Sequence, residues 1–414
     1  MNKHILFIVE NHTVPFDKRV WSEAIAARQW GYDVSVISPK MPEYNKSFET
    51  IEGIDIYRYP QLFEAHKKFD YLFEYLSALF FQLFFSLKIM FRRPFHIIHG
   101  ANPPDNIFLI ALLFRPFRVK YVFDHHDLCT ELYKVKFGRN DHFYKLLSMS
   151  ELLSLKFADV IISTNESYKR IAAATLNGNG NKNIYVVRNG PDTGRIKIKE
   201  PSRDYKEGFK YMVGYVGRIA RQEGIDILLR IVRHIVQEKG IQDIKFLIMG
   251  TGTNLNEYME MSRTMGLTEH AEFTGLVPYE ELLGILKQCD IGINPEHTNA
   301  YTDKSTMMKI MDYMYAGKPV IQFESTEGQN TAQDASLYIP DNDEYKFAEE
   351  MIALLHDEKR RHEMGLKGRK RIFEHLNWDI QKKNLKKAYD HLDGCTSPRK
   401  IRSHQSFLIR QPEL

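Results

Sequence analysis

The chain has no cysteine framework, no surplus of one charge, no glycine-rich fingerprint after its first apolar run and no clean membrane-spanning stretch. Each absence removes a class of protein. Cys129, Cys289 and Cys395 are an odd and scattered set, which argues against disulfides and fits a reducing cytoplasm. A net charge of +4 over 414 residues is too small to argue for nucleic acid, and neither a basic arm nor a zinc-spaced Cys/His set accompanies it. The opening run "MNKHILFIVE" continues into "NHTVPFDKR" without a glycine, which counts against a nicotinamide enzyme. No turn ends in Gly-Lys-Ser/Thr, which counts against a P-loop NTPase. The same opening run is too short for a signal peptide and lacks a cleavage site, so it reads as a buried first strand. Residues 72–91 are rich in Leu and Phe but are interrupted by Glu74, Gln82 and Lys88, a poor pattern for a spanning helix.

What the chain does have is strand–helix alternation in two blocks. Apolar runs at 4–9, 33–38, 96–100, 119–124, 159–163 and 184–187 form the first block. Runs at 211–216, 244–249, 271–274, 290–294 and 319–323 form the second. Helix-length amphipathic stretches separate them, which implies parallel sheets covered by helices on both faces. The expected architecture is α/β: two Rossmann-like, doubly wound domains facing a central cleft, the default ligand site. The polar stretch from Arg188 to Phe209 marks the boundary. The division follows as a first domain at 1–190, a linker at 191–209 and a second domain at 210–375. A C-terminal helix at 376–394 is expected to return to the first domain, and 395–414 reads as a weakly ordered tail.

The second block carries most of the chemistry. "GYVGR" and "MGTGT" are strand-to-helix turns in which Gly217, Gly250 and Gly252 would let backbone approach a phosphate. In "DKSTMMKIMDYMYAGKPVIQF", Met307, Ile310, Met311 and Met314 make a core stripe, while Ser305, Lys309 and Asp312 share another. Ser305 or Thr306 is placed to cap this helix, and Gly317 with Pro319 to end it. "DHHD" at 124–127 resembles a metal cluster, but neighbours on an extended segment point to opposite faces, so no metal site is expected.

With "TVPFDKRVWSEA", "GANPPD", "FDHHDLCTELY", "STNESY", "VVRNGPD", "FTGLVPYEEL" and "LNWD" added, the chain resembles a family 4 retaining glycosyltransferase of the GT-B fold. It is most similar to the branch that serves bacterial surface-polysaccharide synthesis. The resemblance implies transfer from a nucleotide-sugar with retention and without metal or other cofactor, a UDP-sugar being the expected co-substrate. It places donor binding on the second domain and acceptor binding on the first. Asp312 would accept the ribose hydroxyls, amides of Ser305, Thr306 and Met307 the diphosphate, and the backbone of Leu276 and Val277 the base. Arg218 would neutralise the leaving diphosphate, and His126 with Asp127 would flank the transferred sugar. Two positions depart from the family: its usual glutamate falls on Lys304 and its second lysine on Glu223. These look reciprocal, and the expectation is a charge swap in which Lys304 supplies the cation and Glu223 a sugar contact. The alternative leaves Arg218, helped by Arg221 or Lys309, as the main cation.

The resemblance also implies a lipid-linked or glycan acceptor in capsule, O-antigen or exopolysaccharide synthesis, with no nucleic acid partner. An epimerase or hydrolase on the same fold, or a non-catalytic relative acting as a binding partner, are the alternatives. On the 72–91 helix, Leu76, Leu79, Phe80, Leu83, Leu87 and Met90 count as the core face by period. Phe81 and Phe85 then fall outside, flanked by Lys67, Lys68, Arg92 and Arg93. That suggests contact with an anionic membrane or a lipid-linked acceptor, and a cytoplasmic enzyme peripheral on the inner membrane face, the alternative being that both phenylalanines pack against another part of the first domain.

Overall fold

A computed structural model of the chain describes residues 2–62, 70–138, 141–176, 183–392 and 394. Lys67, Lys68, Cys395 and the expected tail at 395–414 lie outside the described residues.

Two parallel sheets form, as the alternation implies. The first holds His4–Ile8 (β1), Asp33–Pro39 (β2), Phe48–Ile51 (β3), Ile54–Tyr59 (β4), Ile97–Ala101 (β5), Lys120–His125 (β6), Val160–Ser163 (β7) and Asn183–Val186 (β8). Their order is β3-β4-β2-β1-β5-β6-β7-β8, with only β3–β4 antiparallel. The second holds Tyr211–Val216 (β9), Ile244–Met249 (β10), Ala271–Gly275 (β11), Ile291–Asn294 (β12), Val320–Phe323 (β13) and Ser336–Ile339 (β14), in the order β11-β10-β9-β12-β13-β14. Central strands such as β1, β9 and β10 are buried along their whole length, which explains their largely apolar runs. In each sheet the order reverses beside the first strand of its domain, β1 or β9. Loops leaving the carboxyl ends there diverge and open a crevice.

The first sheet is covered by Lys18–Gln29 (α1), Asp70–Arg92 (α2), Phe108–Phe114 (α3), Cys129–Phe137 (α4), His142–Phe157 (α5) and Glu166–Thr175 (α6). The second is covered by Ile225–Arg233 (α7), Leu255–Thr264 (α8), Tyr279–Gln288 (α9), Met308–Tyr315 (α10), Thr326–Ala332 (α11), Glu344–His356 (α12) and Glu358–Arg371 (α13). Trp378–Leu392 (α14) crosses back, and its Trp378, Leu385, Ala388 and Tyr389 join the core between β1, β2 and α1.

Three strands were not expected. β3 and β4 form a hairpin whose two turn residues, Glu52 and Gly53, both have positive φ (51° and 75°), the backbone such a turn demands. Asp55 and Arg58 interrupt its apolar pattern. Arg58 is nonetheless fully buried, donating to Thr13 Oγ1 and Val14 O and pairing with Glu49 at 2.6 Å. β14 is a four-residue edge strand beside β13.

α2 is rotated from the expected orientation. Ala78, Gln82, Ser86 and Ile89 face inward and are buried, whereas Leu76, Phe80, Phe84, Leu87 and Phe91 are exposed. Phe81 stacks on Tyr59 of β4 with ring centroids 5.8 Å apart, and Phe85 packs on Tyr57 at 5.9 Å. Gln82 donates to Tyr59 Oη (3.3 Å) and Ser86 to Gln82 O (2.7 Å). The small side chains of Ala78 and Ser86, and the hydrogen bonds donated by Gln82 and Ser86, let the helix lie close to the sheet. The expected exposure of Phe81 and Phe85 is therefore overturned.

At the centre of the first domain, His99 Nε2 lies 3.2 Å from both Asp124 and Glu23, and its Nδ1 lies 2.8 Å from the Tyr389 hydroxyl. Burial opposes its charge, but the hydrogen bonds to Asp124 and Glu23 prevail and push its pKa up to about 9. A raised imidazole contributes stability that is complete below its ordinary value of 6.5 and lost as pH rises through about 9. Urea unfolding across that window should show the wild type losing stability relative to His99→Gln. A difference between the two proteins that does not change with pH would contradict the charged imidazole.

Candidate active site

The cleft is lined by loops from the carboxyl ends of both sheets, and its geometry begins with α1. This helix opens on Lys18 and Arg19, two cations in the turn where the helix dipole disfavours them. Both are held by partners elsewhere. Arg19 is buried and donates to Asp124 Oδ1 (2.8 Å), Val187 O (2.8 Å) and Asn189 Oδ1 (2.5 Å), with Glu23 at 3.2 Å. Lys18 reaches across the cleft and sits 3.1 Å above the Tyr279 ring.

His126 and Asp127 follow β6 and are half-buried at the cleft wall. Both backbone amides donate to Asn102 Oδ1, at 2.5 and 3.1 Å, so the asparagine of "GANPPD" fixes this turn. His126 Nε2 lies 2.5 Å from Asp124 Oδ2 and 2.7 Å from Arg19 Nε, which commits that nitrogen to the domain interior. Asp127 Oδ1 accepts from the Tyr301 hydroxyl of the second domain (3.4 Å), and burial raises its pKa while His126 opposes the rise. Asp124 and His126 share one side of the strand, while His125 points the other way, towards Glu151 at 3.4 Å. Glu23, Asp124 and His126 bring ligand atoms within 4.8 Å of one another, but the Arg19 guanidinium already supplies the positive charge among them.

On the facing domain, Arg218 is exposed on the turn after β9, with no ion pair among the described residues. Gly250 and Gly252 are explained by packing against that turn. A Cβ on Gly250 would lie 1.8 Å from Gly217 O, and one on Gly252 would lie 2.2 Å from Ile219 O. The glycines thus seat two strand-to-helix turns against each other, with Ile219 N donating to Thr251 O (2.9 Å). Leu276 and Val277 form the loop after β11, and their backbone groups carry no hydrogen bond among the described residues.

The α10 helix begins one residue later than its expected cap. Met307 occupies the N-cap position and makes no side-chain cap bond. Ser305 Oγ instead donates to Tyr301 O (2.9 Å) and lies 3.0 Å from the Tyr168 hydroxyl, and Thr306 Oγ1 accepts from Asn165 (3.1 Å). The amides of Thr306, Met307, Met308 and Lys309 have no acceptor among the described residues, whereas that of Ser305 is tied to Thr302 O. Four free N–H groups at a helix start are suited to an anion.

Asp312 and Lys309 are buried and do not form a solvated stripe. Asp312 Oδ1 accepts from the Tyr279 hydroxyl at 2.6 Å. Burial lifts its pKa to about 6, against the pull of Tyr279 and Lys18. Lys309 Nζ lies 3.0 Å from Glu223, 3.4 Å from Glu296 and 3.5 Å from the Tyr215 hydroxyl. Burial works against its charge, yet Glu296, Tyr215 and Glu223 hold its pKa well above the ordinary value. Burial also pushes Glu296 up, with Glu223 adding to the rise and Lys309 opposing it. Glu223 and Lys304 make no ion pair with each other among the described residues. Lys304 lies in a short 3-10 turn where its carbonyl accepts from Asn165 (2.9 Å), and Glu223 is bound to Lys309. The reason is reach: Lys309 projects back from α10 under the Gly217 turn, where its Cε would lie 3.2 Å from a Cβ on that glycine.

Sequence reasoning did not single out Lys18, Arg19, Asn102, Asn165, Tyr279, Glu296, Tyr301 or Glu327. The paired cations at the start of α1 were a signal, since they oppose the dipole. "STNESY" was another: Asn165 and Tyr168 grip 304–306, and Ser167 donates through N and Oγ to Glu327 Oε1 (3.2 and 2.7 Å), while Glu327 Oε2 faces Arg188 at 3.4 Å.

The comparisons with known proteins agree with this geometry. The profile described as Glycosyltransferase Family 4 matches residues 18–195, and that described as Glycosyl transferases group 1 matches 210–357. An uncharacterised glycosyltransferase of Methanocaldococcus jannaschii is 21% identical over 93% of this chain and 95% of its own length. A capsular polysaccharide biosynthesis glycosyltransferase of Staphylococcus aureus is 24% identical over 60% of this chain and 65% of its own. Among solved structures, a sucrose-phosphate synthase from Thermosynechococcus elongatus superposes with a TM-score of 0.77 at 18% identity, covering 95% of this chain and all of that one. Anabaena HepE in complex with UDP-glucose gives 0.69 at 13% identity, covering 94% and 99%. With one profile on each domain and the same two-sheet architecture in the solved relatives, the chain belongs to the family 4 glycosyltransferases of the GT-B fold.

Proposed function

We propose that this glycosyltransferase moves a sugar from a UDP-sugar to a lipid-linked or polysaccharide acceptor, with retention and without a metal. Its place is capsule, O-antigen or exopolysaccharide synthesis at the inner face of the cell membrane. The observation that carries the reading is the facing of two unlike walls. The free amides at the start of α10, with Asp312 below and Lys309 under the turn that carries Arg218, stand opposite His126 and Asp127. UDP-glucose bound to a protein of the same fold supports the donor class, and the capsular relative supports the pathway class.

In this reading the diphosphate lies on the amides of 306–309, which carry partial positive charge in fixed positions. As the glycosidic bond breaks, negative charge builds on the leaving phosphate. Arg218 and the helix start stabilise that charge without having to reorganise. The ribose replaces Tyr279 on Asp312, and the open backbone of Leu276 and Val277 receives the base. Lys309 is too enclosed by Glu223 and Glu296 to act as a free cation. It holds those two carboxylates, and through them the turn that carries Arg218.

The direct test is a thermal-shift screen of UDP-, GDP- and dTDP-sugars, followed by NMR of the product's anomeric centre. A retained centre is expected, with turnover unchanged by a chelator. An inverted centre, or sugar release that needs no acceptor, would overturn the reading.

Asp312→Asn should weaken nucleotide binding by about 1.5–3 kcal/mol, the range for hydrogen bonds to a charged group. Because the ionised carboxylate accepts the ribose hydroxyls, wild-type affinity should fall as pH drops through about 6, while the variant stays flat. Calorimetry that finds the two proteins alike at neutral pH would remove Asp312 from the site.

Glu223→Gln and Lys309→Met should be strongly non-additive in catalytic rate, with a coupling above about 0.5 kcal/mol, because the two groups touch. Lys304→Met combined with Glu223→Gln should be additive. A reversal, with coupling at 304 and none at 309, would restore the charge swap.

A further inference from the structure

α2 is a 23-residue helix, about 35 Å long at 1.5 Å per residue. It is long and apolar enough to cross a bilayer by length and composition alone. It does not stand free, however. Its inner face carries buried Gln82 and Ser86, hydrogen-bonded and packed on β4, and that face cannot be turned to lipid without breaking the sheet's cover. What remains is its outer face. Phe80 is 67% exposed and Phe91 87%, with Phe84 and Leu87 between them at helical spacing. α3 packs beside α2 and extends the apolar surface through Leu113 and, in the short 3-10 turn that follows it, Phe117, which is 69% exposed. An apolar surface on this scale marks an interaction site.

Charge decides what covers it. Between residues 75 and 123 the basic residues are Lys88, Arg92, Arg93, Arg115, Arg118 and Lys120, and the only acid is Asp105, which is buried. The surplus in this short segment exceeds the net +4 of the whole chain. Arg93 is bound to Asp33 and Lys120 to Asp159, whereas Arg92, Arg115 and Arg118 are exposed with no ion pair among the described residues. A second copy of the chain would present the same basic surface and bring no acid to meet it. An anionic bilayer offers both an apolar phase for the phenylalanines and phosphates for the arginines.

We infer that the outer face of α2 and α3, led by Phe80, Phe84, Phe91 and Phe117 and flanked by Arg92, Arg115 and Arg118, is a docking surface for an anionic lipid bilayer. α2 lies in the membrane plane and does not span it. The helix ends just before β5 begins, so its C-terminus is at the amino edge of the sheet and its N-terminal half runs towards the cleft. Docking along its length brings the cleft mouth to the membrane surface. This rests on the membrane-presented acceptor proposed above only for its purpose, since docking itself requires neither donor nor transfer.

The test is co-sedimentation of the full chain, without nucleotide, with phosphatidylcholine vesicles and with vesicles containing phosphatidylglycerol. Wild type should pellet with the anionic vesicles and much less with the neutral ones. Phe80→Ser/Phe84→Ser and, separately, Arg115→Glu/Arg118→Glu should each lower anionic-vesicle binding by at least about tenfold. UDP-sugar binding by calorimetry should be unchanged in both. Undiminished pelleting of either variant would overturn the inference. So would a wild type that ignores vesicles and sediments as a dimer dissociated by Phe80→Ser/Phe84→Ser. Loss of UDP-sugar binding by the wild type would instead fault the proposed donor and leave the docking result standing.

Discussion

The first domain's side of the cleft depends on a single buried cation. Arg19 ties the start of α1 to the end of β6 through Asp124, and to the segment after β8 through Val187 and Asn189. Removing it would leave Asp124 and Glu23 buried without their main countercharge, a defect that costs about 3–5 kcal/mol in comparable networks. Asp124 is held well below the usual carboxylate range: burial would raise it, but Arg19 and His126 more than reverse that. Its charge in turn fixes His126 and so the turn that carries Asp127. The geometry of this wall is therefore set one layer beneath the residues that line the cleft.

The second domain solves the same problem with the same charge arrangement, one cation between two carboxylates. There one buried lysine, Lys309, holds two carboxylates from separate loops, Glu223 after β9 and Glu296 after β12. These loops flank the point at which the strand order reverses. Each half of the enzyme thus uses a desolvated ion cluster to pin diverging loops that apolar packing does not reach. Such clusters are expensive to bury, and their gain is in position more than in stability.

Much of this was legible in the sequence. Long buried parallel strands leave largely apolar runs, so both sheets and the cleft between them could be read from β1, β5, β9, β10 and β12. The α10 core stripe was legible for the same reason. The failures share a cause. β4 is interrupted by a buried arginine and went unseen, and α2 packs on β4 through Tyr57 and Tyr59. Without its partner strand, a helix apolar on several sides offers period counting no way to choose its inner face. The contact between Glu223 and Lys309 was missed for a different reason. Spacing along the chain gives a residue's place on the backbone, but the length of Lys309 let a neighbouring position fill the charge.

The return of α14 has a consequence for how the chain is made. The core of the first domain includes Trp378, Leu385 and Tyr389, and the Tyr389 hydroxyl faces His99. While a ribosome is still translating the second domain, the first is a sheet with one flank uncovered and a buried histidine short of a partner. Domains generally mature in order of synthesis, and contacts spanning nearly three hundred residues form late. Here the first domain to emerge is completed by the last helix of the described fold, so the two halves become native together.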